Sequence, residues 1–267
     1  MKEARGRIPI DPFQHQSKRV AFMTLLMTPL GAVPARSGLP AGPEARSKAA
    51  VDLAISLLAF AACSLCVPYL NPRLRSGHGF RVLLAAALFQ LCTESVAPLV
   101  LMLARRESFA SYGFTWIRLR SSLLLGLVLA FLYDAILSID AHALLWVPLR
   151  RQPAVRIALA AGFPLNLFGT AITVVVWGFL EGFFGIYLAR KINIVFKHSG
   201  HGWLAPGALA FALFNGGVHL IVGQGLEGFV TSFASGYAIT IVPAVTENAW
   251  GGTLVQTLTN AVGRLTR

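Results

Sequence analysis

The stretch Ala171-Ile-Thr-Val-Val-Val-Trp-Gly-Phe-Leu-Glu-Gly-Phe-Phe-Gly-Ile-Tyr-Leu188 decides the fold class. Its apolar positions run on without the alternation of a half-buried strand, so it predicts a helix long enough to cross a hydrocarbon core of ~30 Å. Its one charged residue is Glu181. A carboxylate at bilayer depth is costly unless paired, hydrated or protonated, which marks Glu181 as a functional residue whose partners come from other helices.

Working outward, similar runs recur at about 49–70, 80–104, 121–147, 167–190, 204–222, 226–243 and 248–264. They predict an all-α, polytopic transmembrane bundle of seven to eight spans, because a lipid-exposed sheet edge would leave backbone groups unpaired. Composition agrees: 55% of the 267 residues are hydrophobic and 13% charged. Residues 1–48 form a basic N-terminal segment ahead of a transmembrane domain at 49–267. Within it Val20–Ala35 is apolar but short and broken by Pro29 and Pro34. That pattern fits a signal peptide, a short first span, or an interfacial or re-entrant segment, the interfacial form being preferred. Arg156–Gly162 is expected to be a half-helix leading into the Glu181 span, since Pro164 and Asn166 interrupt the run.

The net charge of +12 comes from basic residues spread over the short segments between spans. A nucleic-acid partner is therefore not expected, and membrane lipids are, through anionic headgroups. With seven spans, 15 of the 23 Lys and Arg fall on the side holding 1–48, 105–120 and 190–203. This places the N-terminus in the cytoplasm, in an organisation expected of a prokaryotic plasma membrane. If Val20–Ala35 also crosses, the bias becomes 10 against 13. Cys63, Cys66 and Cys92 are expected to be small buried residues; two thiols on one helical face make a poor zinc site, and no metal or cofactor is expected.

Polar residues at depth cluster in the last hundred positions. Asn215 and His219 lie four apart on one helical face, as do Gln256 and Asn260. A carboxylate and an imidazole sharing a water deprotonate it, and amides donate to the oxyanion of a tetrahedral intermediate, which describes amide hydrolysis. The plain alternative is helix adhesion, at about 0.6–2 kcal/mol per interhelical hydrogen bond. Counted at ~1.5 Å per residue, His219 and Asn260 lie about 4–6 Å from one membrane face and Glu181 about 20 Å from it. Helix tilt or shifted boundaries would have to close that gap. Asp52 is expected to open a helix, where a carboxylate suits the dipole. Glu94, between Thr93 and Ser95, is either a second proton-handling group or a polar contact to a neighbouring helix. Asp134 and Asp140 border a less apolar stretch, and Glu227 and Glu247 are expected to be solvated at span ends. Gly216-Gly217 and Gly251-Gly252 are expected to let helices approach closely.

At these residues the chain resembles the CPBP family, the CAAX proteases and bacteriocin-processing enzymes, whose intramembrane motifs are Glu-Glu-x-x-x-Arg, Phe-x-x-x-His and His-x-x-x-Asn. Glu181-Gly-Phe-Phe-Gly-Ile186 looks like the first, Asn215-Gly-Gly-Val-His219 the second and Gln256-Thr-Leu-Thr-Asn260 the third. Arg106-Glu-Ser-Phe-Ala-Ser-Tyr-Gly113 looks like the segment that commonly precedes this domain, so the resemblance covers about 100–264. Gly182, Ile186, Asn215 and Gln256 depart from the motifs, and Glu181 matches either the first or the second Glu. Trp177 to Phe183 and Thr246-Glu-Asn-Ala-Trp-Gly251 look like a divergent branch.

The resemblance implies Glu181 as the base that activates water, His219 as its partner and Asn260 as an oxyanion donor. Gln256 replaces a histidine with a group that donates a hydrogen bond but exchanges no proton. The substrate would be a lipidated or hydrophobic peptide or membrane protein, cleaved by an endopeptidase. Two other functions fit the same residues: a catalytically inactive relative that binds partner proteins or lipids, and a proton-coupled transporter using Glu94, Glu181 and His219.

Overall fold

The computed structural model describes residues 42–66, 80–140 and 161–260, without the Asp140 side chain. The expected Val20–Ala35 segment, the far ends of the spans at 49–70, 121–147 and 248–264, and most of the half-helix at 156–162 lie outside the described residues. Every described element is helical, and no strand occurs among them. Helix α1 is Pro43–Ser64. Helix α2 is Phe80–Ala104, α3 is Leu119–Asp140 and α4 is Leu165–Val195. Helices α5, Pro206–His219, and α6, Gly225–Thr246, are joined by the bend Leu220–Gln224, and α7 is Trp250–Asn260.

Five helical stretches are long and apolar enough to cross a membrane: Pro43–Ser64, Phe80–Ala104, Leu119–Ile139, Leu165–Val195 and Pro206–Thr246. The last is not one rod. Gly223 and Gly225 adopt positive φ, +83° and +67°, values that L side chains rarely tolerate, and the chain turns back there. The arms then pack side by side, with Asn215 Nδ2 donating to Ser232 O at 2.7 Å. Helix α7 has 11 described residues, too few by themselves for a ~30 Å crossing.

Membrane residence shows in how the helices are turned. Helix α1 buries Ala49, Asp52 and Ser56, while Val51, Ile55 and Leu58 are exposed. Its fully buried side chains are small or polar, Leu53, Leu57 and Phe60 pack on the core beside them, and a row of aliphatic side chains is left facing outward, as suits contact with lipid. Helix α3 likewise exposes Leu124, Leu127, Val128, Phe131 and Leu132. Inside, α4 carries the apolar core through Phe183, Phe184, Tyr187 and Leu188, all 3% exposed or less. Helix α7 presses against α3 and α6 through Gly251 and Gly252, where a Cβ would overlap the carbonyl oxygens of Ser122 and Ile239.

Several residues sit elsewhere than their sequence context suggests. Helix α1 starts at Pro43, inside the expected N-terminal segment, with Pro43 in the first turn, where a missing N–H is harmless. Asp52 therefore lies well inside the helix, not at its opening. It accepts from Lys191 Nζ at 2.9 Å and from Arg105 Nε and Nη2 at 3.1 and 2.9 Å. Lys191 also donates to both Glu107 carboxylate oxygens, at 2.9 and 3.0 Å. Arg105 and Lys191 thus belong to a partly buried charge cluster tying α1, α4 and the end of α2, and are not simple loop anchors. Cys66 and Cys92 are exposed on the surface and Cys63 is half-buried, contrary to the expected burial. Glu247 is half-exposed and paired, with Arg118 at 3.2 Å and His201 at 3.7 Å.

Lys191 is 3% exposed in its side chain, and removing it strands two acids with only Arg105 to balance them. Lys191→Met is expected to destabilise the fold by about 3–5 kcal/mol, as breaking buried ion pairs does. Thermal unfolding in detergent checks this; Lys48→Met, which breaks only the exposed pair with Glu44, should leave the midpoint in place.

Candidate functional site

Glu181 is placed by a distortion of α4. Over Val174–Leu180 the helix is widened into π geometry, and the Glu181 N–H goes to Val176 O and Gly178 O in place of Trp177 O. Trp177 O accepts instead from side chains of α7: Gln256 Nε2 at 3.3 Å and Asn260 Nδ2 at 3.5 Å. Two amides four residues apart on α7 therefore grip the α4 backbone where its regular ladder is interrupted. Such π segments occur frequently at functional sites.

The same Asn260 amide donates to Glu181 Oε2 at 2.7 Å, and from α2 Gln90 Nε2 donates to that oxygen at 3.2 Å. Two amides from two helices thus orient the carboxylate. The 20 Å height difference counted along the sequence does not exist: the bonded Glu181 and Asn260 lie at one level. Residue counts measure distance along an axis. Helix α4 is 31 residues, ~46 Å at 1.5 Å per residue, far more than the ~30 Å core, so its ends do not coincide with the membrane faces.

Helix α7 comes this close because α4 is thin on that side. A Cβ at Gly178 would overlap Thr257, and one at Gly182 would lie 3.1 Å from Thr253 Cα and 3.3 Å from Gln256 Cβ. Gly182 stands where a second glutamate was expected from the motif resemblance, and α7 occupies the space that side chain would need. Ile186, at the expected arginine position, is 4% exposed in the core beside Gly252. Both departures follow from tight helix packing.

Glu181, His219, Gln256 and Asn215 line one cavity of about 60 Å³, together with Glu94 and a wall of Phe60, Phe184, Phe211 and Phe214. Of the four residues singled out for catalysis, three therefore face the cavity, and Asn260 joins them through its bond to Glu181. Its amide nitrogen is directed at Glu181 and Trp177, where the resemblance implied an oxyanion donor. His219 ends α5, and its Nδ1 lies 2.9 Å from Gln224 Oε1 in the bend. A carbonyl oxygen only accepts, so Nδ1 carries the hydrogen and Nε2 is the basic nitrogen of the neutral ring. Asn215, on the same face, is engaged with Ser232 as described.

Gln90 was not singled out in the sequence. The signal was present: Gln90 and Glu94 are four apart in an apolar span, the spacing that marked the other two pairs. Among the described residues no three of His, Cys, Asp and Glu assemble into a group able to hold a metal ion.

The connection between α2 and α3 supports the site from below. Phe109–Tyr112 forms a 3₁₀ turn, and Tyr112 donates from its hydroxyl to Glu107. Burial, and then the Glu107 hydrogen bond, push the Tyr112 hydroxyl well above the ordinary phenol range. The Arg105 guanidinium is also raised, here because the hydrogen bond to Asp52 favours its charged form. The rings of Phe109 and Phe114 pack on Phe179 and Phe183 of α4. Asn248, fully buried, donates from Nδ2 to Thr115 O and Ile117 O at 2.7 Å each. The stretch around Asn248-Ala-Trp-Gly251 thereby fastens α7 to the loop ahead of α3.

A scan against protein-family models, a search of curated proteins and a search of solved structures each return no match for this chain.

The Gly182 contacts generate a test. Gly182→Glu, which would restore the missing motif acid, is expected to lower the unfolding midpoint in detergent, because its Cβ already meets α7 and the remaining atoms have to displace Thr253 or Gln256. A midpoint equal to the wild type would show that α7 yields at no cost.

Proposed function

We propose that the protein is an intramembrane hydrolase of the glutamate type, cleaving a peptide bond in a lipidated or otherwise hydrophobic substrate. The observation that carries this reading is a carboxylate and an imidazole, from α4 and α5, lining one cavity inside an apolar bundle. The resemblance of the three motif stretches to the CPBP family points to the same activity. In this proposal the chain crosses a prokaryotic plasma membrane seven times from a cytoplasmic N-terminus, the α5–α6 hairpin providing two crossings and α7 the last.

The chemistry balances with water alone. Glu181, oriented by Gln90 and Asn260, takes a proton from a water, and the resulting hydroxide attacks the scissile carbonyl carbon. The carbonyl electron pair moves onto oxygen, and the tetrahedral intermediate then expels the amine, which leaves with a proton returned by the site. His219 polarises the water or the oxyanion from α5. Asn260 acts as a positioning residue, and the aromatic wall of Phe60, Phe184, Phe211 and Phe214 suits an apolar substrate.

A second reading is favoured by a specific observation. The Gln256 and Asn260 amides bond to the protein itself, as in a cluster kept for helix adhesion. The protein would then be a catalytically inactive membrane protein that binds partner proteins or lipids.

The two separate on Glu181→Gln and His219→Ala. Glu181→Gln keeps the shape and an oxygen to accept from Asn260, so in the hydrolase it should lower cleavage of a hydrophobic or prenylated peptide by about 10²–10⁴-fold with the unfolding midpoint nearly unchanged. His219→Ala should do the same. Wild-type rates in either purified variant overturn the hydrolase reading; an unchanged cellular phenotype for Glu181→Gln with reduced thermal stability establishes the adhesive one.

A further inference from the structure

We infer that Glu94 is the second carboxyl group of the cavity and that Glu94 and Glu181 together hold one proton, so that Glu94 is the acid that protonates the departing amine while Glu181 is the base. The catalytic half of this inference rests on the hydrolase reading above. The shared proton does not.

The geometry comes from α2. Its middle, Leu91–Ser95, is wound in π geometry, the Val96 N–H reaching back to Leu91 O. Glu94 sits inside that segment between Thr93 and Ser95, both buried, and lines the same cavity as Glu181. Gln90, four residues earlier on the same helix, donates to Glu181 Oε2, so this part of α2 and Glu181 are in direct contact. Glu94 Oε2 is buried and accepts no hydrogen bond among the described residues. Two of the cavity's acids are thus each set in or directly after a π-wound segment, on helices distant in sequence.

The charge environment allows only one negative charge comfortably. Facing the pair are Gln90 from α2, Asn215 and His219 from α5, Gln256 and Asn260 from α7 and the ring of Phe60 from α1. No lysine or arginine is among the described residues that line the cavity; Lys191 and Arg105 are committed to Asp52 and Glu107. Two carboxylates close together in an apolar cavity with no lysine or arginine cannot both ionise readily, and one keeps a proton. The amide donors select which. Gln90 lies against both carboxyl groups, but Glu181 also accepts from Asn260, which favours its charged form, whereas Glu94 Oε2 is left without a donor. Gly182, walled in by α7, leaves no room for an acid adjacent in sequence, so the second carboxyl is supplied from α2.

The proton count closes. Before reaction Glu94 is a carboxylic acid and Glu181 a carboxylate. Glu181 gains the proton of the attacking water, the C–N bond breaks, and the nitrogen takes the Glu94 proton. The pair still holds one proton, now on Glu181, and its passage back to Glu94 restores the starting state.

Two measurements on the full-length protein in detergent test this. In infrared spectra at neutral pH, wild type should show the C=O stretch of a protonated carboxyl, and Glu94→Gln should lose it. A wild-type spectrum lacking the band, or a band that survives unaltered in Glu94→Gln, overturns the shared proton. In peptide cleavage, Glu94→Gln should lower kcat by about 10²-fold or more with KM and the unfolding midpoint unchanged, and Glu94→Asp should recover part of the rate. A wild-type kcat in Glu94→Gln overturns the catalytic role. If Glu94→Gln fails to fold, Glu94→Asp carries the infrared test: its carboxyl band must move in frequency, and an unmoved band overturns the assignment. A wild-type protein that cleaves nothing sinks the hydrolase reading, and the infrared result alone then decides the carboxyl pair.

Discussion

The structure turns on the contact of α4 with α7 at Trp177 and Glu181. No water reaches the backbone in a bilayer, so a helix that leaves its regular hydrogen-bond ladder must find replacement donors inside the protein. Trp177 O finds them in the Gln256 and Asn260 amides, and the Asn260 amide also reaches Glu181. None of these bonds forms unless α7 approaches within side-chain contact of α4, which Gly178 and Gly182 permit. The π winding, the glycines and the amides are therefore one device.

Two polar centres lie within the apolar bundle, and their electrostatics differ. The cluster of Asp52, Glu107, Arg105 and Lys191 is charge-balanced and hydrogen-bonded, with Tyr112 donating to Glu107. It joins three helical segments and has no obvious chemistry to perform. The cavity contains Glu94 and Glu181 with amides and one imidazole, and no lysine or arginine among its described lining. Two acids set among amides and a single imidazole are expensive in lipid, so their presence argues for use, whereas a balanced cluster argues for architecture. Sequence context alone would not separate Asp52 from Glu94 and Glu181, since each is a single charge in a greasy helix.

Much of the site was legible in the sequence. Glu181 stood out because a charge in an apolar run is anomalous, and the pairs Asn215–His219 and Gln256–Asn260 because four-residue spacing puts side chains on one face. What misled was distance along the helix. Asp52 looked like an opening residue because Ala49 looked like the start of a span, while Pro43 and the solvated first turn extend the helix backwards. Glu181 looked too deep for Asn260 because depth was counted from the run's ends in a helix much longer than the bilayer. Cys66 and Cys92 looked buried because apolar neighbours imply burial only in water.

By itself the sequence determined the solvent and the class of secondary structure: long apolar runs require helices in lipid, whatever their arrangement. It also narrowed the side chains that could carry chemistry, because polar groups in such runs are few and each needs a reason to be there. Only the tertiary structure decided how they combine. It brought Gln90 and Glu94 of α2 to Glu181 of α4, residues about ninety positions apart in the chain, and aimed Asn260 at the carboxylate. Helical spacing constrains neighbours on one helix, but the rotation and height of one helix against another are set by close packing at small residues, and that information is spread over every surface that meets.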